Sequence, residues 1–194
     1  GIPLAVEYRS RGVSARPRWK SLTVTVNGGY LSEGDLITIV FGDTSGGSPG
    51  MRMQPMAEGG FEFKVLADVC AVGQFVPIPD TPTVAIVPGP AVVWKAVLPT
   101  LRRPGERFRF GLKAEDKWGN PTDQAGGRFT FRSSLPVDGL PETFDYPRGE
   151  KSVSFDGLFV SDPGVLRITL HDRSGAAVAE SHPLVIRESR YGGY

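Results

Sequence analysis

Apolar and polar residues alternate at period two over much of the chain, and the three-and-four spacing of an amphipathic helix hardly occurs. Successive side chains of a strand point to opposite faces, so this pattern predicts half-buried β-strands. Leu22-Thr23-Val24-Thr25-Val26 sets three aliphatics on one face and two threonines on the other. Asn27-Gly28-Gly29 then supplies residues that accept the positive φ of a tight turn. Leu36 to Phe41 is nearly all apolar, which predicts a strand covered on both faces. Phe61 to Val65 alternates cleanly and is expected to run on toward Val69, and Thr83 to Val87 is a short β-branched run. A second set of strands is predicted at Val92–Val97, Arg107–Ala114, Arg128–Phe131, Lys151–Phe155, Val165–Leu170 and Ala177–Ile186. In Arg107–Ala114 every even position is apolar.

Between the two sets stands Pro88-Gly89-Pro90, where proline removes backbone donors and stops a paired strand. Strands spaced about ten residues apart with turn residues between them are the signature of a sandwich. The sequence therefore predicts an all-β protein of two tandem immunoglobulin-like β-sandwich domains. The first covers residues 1–88; the second covers 89–194 and ends in a linker. The first half has fewer strands and longer glycine-rich loops, so one large sandwich over all 194 residues is the alternative.

Composition sharpens this picture at a few points. Gly 25 and Pro 17, spread along the chain, favour many short strands joined by turns. Lys+Arg 22 against Asp+Glu 21 leaves a net charge of +1, without the basic stripe of a nucleic-acid binder. The densest basic cluster, Arg9, Arg11, Arg16, Arg18 and Lys20, is broken by Pro17 and reads as a solvated edge. No apolar run reaches the roughly 18 residues of a membrane helix, and no membrane partner is expected. Cys70 is the only cysteine, so an internal disulfide is excluded and the compartment stays open. At the end of an apolar pattern it reads as a small buried hydrophobe.

Candidate chemistry is sparse. Gly42-Asp43-Thr44-Ser45-Gly46-Gly47 is close to the serine loop of trypsin-like proteases, but Thr44 spoils the spacing and both histidines come late in the chain. A glycine-rich loop explains the segment. His171 and His182 are placed to face each other across a hairpin, yet a zinc site needs further ligands. The acidic residues Asp35, Asp43, Asp68, Asp116, Asp123, Asp156 and Asp162 stand singly, without calcium-loop spacing. No catalytic, metal or cofactor residue is assigned, and no cofactor is expected. Asp116-Lys117-Trp118-Gly119-Asn120-Pro121 is the sharpest local signal. It reads as a strand-ending turn in which Asp116 accepts bonds from following amides and Trp118 plugs one end of the sandwich. The alternative is a sugar-stacking platform on Trp118 with Trp19, Trp94 or Tyr30.

Two sets of residues carry a resemblance. The turn from Ala114 to Pro121 resembles the Asp-x-x-Gly-Asn-Pro turn of bacterial immunoglobulin-like domains. Together with Phe41–Met53, Phe75–Asp80 and Ile86–Pro90, in that order, it is similar to a bacterial family of unknown function whose members resemble metal-dependent hydrolases of the polymerase-and-histidinol-phosphatase class. The resemblance covers roughly residues 22–194 and places these segments in β-rich domains ahead of a metal-binding domain. It implies a non-catalytic accessory region whose partner is a C-terminal domain of the same polypeptide. Gly1-Ile2-Pro3 and Arg190–Tyr194 are then expected to be the ends of a trimmed or processed piece. A carbohydrate or cell-surface binding module is the other functional reading.

Overall fold

The computed structural model describes residues 2–9 and 20–188. Among them sixteen strands and no helix occur. They are β1 Leu4–Arg9, β2 Ser21–Val26, β3 Glu58–Glu62, β4 Leu66–Ala67, β5 Val76–Pro77, β6 Thr83–Ile86, β7 Val93–Val97 and β8 Leu101–Arg102. The remainder are β9 Phe108–Glu115, β10 Gly127–Ser133, β11 Thr143–Tyr146, β12 Ser152–Leu158, β13 Gly164–Leu166, β14 Ile168–His171, β15 Ala177–Glu180 and β16 Leu184–Ile186. The protein is all-β, consistent with a β-sandwich. It divides into two compact units, Gly1–Arg52 and Met53–Tyr194. The predicted boundary at 88/89 falls inside the second unit.

The first unit pairs β1 with β2 antiparallel, from Leu4 opposite Val26 to Arg9 opposite Ser21. Leu36 to Val40 is not a strand, a correction to the sequence pattern. Leu36 is 89% exposed, and Val40 and Phe41 are also exposed. Period and composition foretell a covered strand only if a second surface exists to cover it. None of the described residues up to Pro90 is buried, so a first core is not among them.

The second unit concentrates its core between Ala96 and Ile186. One layer is the antiparallel sheet β12-β9-β7, and facing it is β11-β10-β14-β15. β13, β16 and β8 form a separate three-stranded sheet in which β8 joins β16 in parallel. Alternation in β9 is complete: Phe108, Phe110, Leu112 and Ala114 are all buried. Phe110 lies 5.6 Å from Phe131 and 5.7 Å from Phe155, and Phe155 lies 5.0 Å from Phe144, so rings from both layers interleave. Trp94 of β7 meets Phe129 at 4.7 Å and Tyr146 at 4.8 Å, both edge-on, as the ring quadrupole favours.

Local chemistry decides where these strands break. In β12 the register shifts between Phe155 and Leu158, with Gly157 at φ +76, a backbone state that a side chain disfavours. The expected continuation of the Phe61 strand toward Val69 does not form: β3 ends at Glu62, and only the two-residue β4 follows before Val69. Asp68 accepts the amides of Val72 and Gly73 and folds a turn, which leaves Cys70 exposed rather than buried. Predicted strands at Val165–Leu170 and Ala177–Ile186 each appear as two pieces.

Removing the Phe110 ring should cost about 3–5 kcal/mol, because the cavity opens where both layers meet. By contrast, Leu36→Ala should stay within about 0.5 kcal/mol. Urea unfolding of the two variants against wild type checks both values.

Candidate functional site

Two places concentrate polar chemistry, both in the second unit. The first is the turn that leaves β9. Asp116 is only 2% exposed, and its carboxylate accepts four donors. Oδ1 takes the amides of Trp118 at 2.8 Å and Asn120 at 2.9 Å. Oδ2 takes the Asn120 side-chain amide at 3.0 Å and the Gly89 amide at 3.1 Å. Gly119, at φ +85, lets the chain curl tightly enough for those amides to converge. The Asn120 side chain, and then the amides, stabilise the anion and hold Asp116 down to about 2, against an ordinary 3.8. This is the strand-ending turn that the sequence pattern predicts.

Its reach along the chain is not visible in the sequence. Asn120 donates Nδ2 to the Pro55 carbonyl at 2.7 Å and accepts the Ala57 amide at 2.9 Å. Fully buried Thr122 donates its hydroxyl to the Gly89 carbonyl at 2.7 Å, and Gln124 donates Nε2 to that of Pro88 at 2.7 Å. The Pro88-Gly89-Pro90 stretch is therefore strand-free, as predicted, yet bolted to the second-half sandwich.

Trp118 does not plug the sandwich. It is 47% exposed, with the Lys117 ammonium 5.1 Å from its ring centre. Asp116 binds the Trp118 backbone, so the turn is held through main-chain amides rather than by burial of the ring. Of its suggested companions, Trp94 is part of the aromatic core. Tyr30 is 81% exposed in the first unit, and Trp19 lies outside the described residues.

The second place is the outward face of β10 and β14. Because Phe129 and Phe131 point inward, Arg128, Thr130 and Arg132 share the opposite face. His171 is the cross-strand partner of Thr130, and the hairpin after it brings Arg173 alongside. These residues and Asp172 line a groove of about 300 Å³. Asp172 is held below its ordinary range chiefly by the Ser174 hydroxyl, and it also accepts the amides of Ser174 and Ala176. The alternating polar face of β10 was legible in the sequence. Its register against His171 was not, because pairing depends on a loop of more than thirty residues.

The remaining sequence candidates do not assemble into a site. Asp43 accepts the Ser45 amide at 2.9 Å, so the glycine-rich loop at 42–47 is a turn stabilised by its own aspartate. His171 Nδ1 sits 3.0 Å from the Gly175 carbonyl, whereas His182 lies in the segment between β15 and β16. Among the described residues no group of three or more His, Cys, Asp or Glu is placed to hold a metal ion. Neither a protein-family model nor a curated protein matches the chain.

Three measurements follow from the turn. Asn120→Ala should cost about 1–3 kcal/mol in urea unfolding, since the buried Asp116 carboxylate loses a donor and the part-buried bonds to Pro55 and Ala57 are lost with it. Trp118→Ala should cost only about 1 kcal/mol or less, a half-exposed ring losing little packing and one cation–π contact. Acid is the third probe. The folded form binds the Asp116 proton more weakly than the unfolded chain does. The resulting stabilisation is present in full above about pH 4 and is lost as pH falls toward 2. The melting-temperature difference between wild type and Asp116→Asn should therefore shrink over that window; a difference that stays constant contradicts the assignment.

Proposed function

We propose that this chain is a non-catalytic β-sandwich accessory region that serves a hydrolase domain of the same polypeptide. One observation carries the reading. Asp116, the carboxylate held furthest from its ordinary range, is held there by four hydrogen bonds inside a strand-ending turn. A general acid or base titrates near its working pH, whereas this group is fixed as an anion and acts as a joint. The resemblance to the β-rich front part of metal-dependent hydrolases of the polymerase-and-histidinol-phosphatase class supplies the rest of the proposal.

The finer fold assignment belongs here too. The order β12-β9-β7 facing β11-β10-β14-β15, with a short parallel β8–β16 pair, supports an immunoglobulin-like sandwich over residues 89–194. Residues 1–88 supply the other half of the proposed tandem through the β1–β2, β3–β6 and β4–β5 pairs.

The exposure of Trp118 favours a second reading, a carbohydrate or cell-surface binding module. A neutral-glycan array decides between the two. The accessory reading expects no neutral glycan to be retained and no phosphoesterase turnover by the chain. Retention that Trp118→Ala abolishes at unchanged melting temperature establishes the binding module instead.

A further inference from the structure

We infer that the groove on the outer face of β10 and β14 is a binding site for an oxyanion ester, a sulfate or phosphate group carried on a small ligand. This goes beyond the accessory role and does not depend on it. Three guanidinium groups, Arg128, Arg132 and Arg173, line the one groove with the His171 ring and the Thr130 side chain. Four other cations of the sandwich are paired, Arg102 with Glu106, Arg109 with Asp156, Lys113 with Glu115 and Arg167 with Glu180. Among the described residues no hydrogen bond or ion pair engages Arg132 or Arg173, and Arg128 reaches only the Thr143 hydroxyl, at 3.4 Å.

Three carboxylates share this outer face: Glu180, in line with Arg132 through Thr169, is taken by Arg167, and neither of the other two closes the groove. Asp145, cross-strand partner of Arg128, makes no ion pair with it. Asp172 turns its Oδ1 onto the Ser174 amide and hydroxyl and the Ala176 amide. The guanidinium forks are left to a ligand, and their planar donor pairs match the oxygens of sulfate and phosphate.

The lining also says which ligands do not suit it. Among the described residues that line the groove, none is Phe, Tyr or Trp, so it lacks the broad apolar ring on which a neutral sugar stacks. Arg128 and Arg132 stand four residues apart on one strand face, about 13 Å along the chain. Two anionic groups on one ligand, or one ester held between Arg128 and Arg173, fit that spacing. A sulfated oligosaccharide and a phosphorylated metabolite share this chemistry, and only a comparison of probes separates them.

Titration calorimetry of the whole chain at low ionic strength, with sodium phosphate, sodium sulfate and a sulfated disaccharide, tests the site. Saturable one-site binding of at least one probe is expected. Arg132→Gln and Arg173→Gln should each weaken it by about tenfold, the loss of a charge-assisted contact. Arg109→Gln, on the other sheet, should leave it unchanged. All three positions are exposed, so melting temperatures matched to wild type serve as the folding check. Preference for the sulfated disaccharide identifies a polysaccharide source, and preference for phosphate a phosphorylated metabolite. The inference is overturned if no probe saturates, or if Arg109→Gln weakens binding as much as the groove variants.

Discussion

A carboxylate removed from water must be surrounded by donors, and the second unit is organised around one that is. Asp116 gathers amides from its own turn and from Gly89, and Asn120 beside it extends the network to Pro55 and Ala57. An unpaired charge at this depth costs far more than any one of these bonds returns, so the chain segments they join must be present together or not at all. That requirement fixes where strand β9 ends. It also fixes the path of the extended residues between β6 and β7.

The aromatic core depends on that joint in turn. Phe110, Phe131, Phe144 and Phe155 interleave only when β9, β10, β11 and β12 sit in two facing layers. The β9–β10 connection is tied to Gly89 by the Asp116 and Thr122 bonds. Residues before Pro90 add paired strands but no buried side chain among those described, so tertiary packing is concentrated in the later part of the chain.

Function follows the same division between buried and open polar groups. Where donors and acceptors satisfy one another, as around Asp116, the group is locked and serves the fold. On the outer face of β10 and β14, Arg132 and Arg173 make no hydrogen bond or ion pair among the described residues, and that is where the oxyanion site is proposed. Trp118 stands between the two cases: its backbone belongs to the joint, while its ring is half exposed.

The sequence by itself determined the β class, most of the later strands and the Asp116 turn. These rest on local rules: period-two alternation as in Phe108, Phe110 and Leu112, and the reach of an aspartate to amides two and four residues ahead. It misplaced Leu36–Phe41, Cys70 and the Trp118 ring, because burial depends on whether another surface arrives to cover a residue, and no local pattern contains that surface. Only the tertiary structure decided that Asn120 binds Pro55, that Thr122 and Gln124 hold the proline-rich stretch, and that His171 lies beside Thr130. Those partners are thirty to sixty-five residues apart, and the free energy that brings them together is the burial of a shared core, a property of the folded chain as a whole.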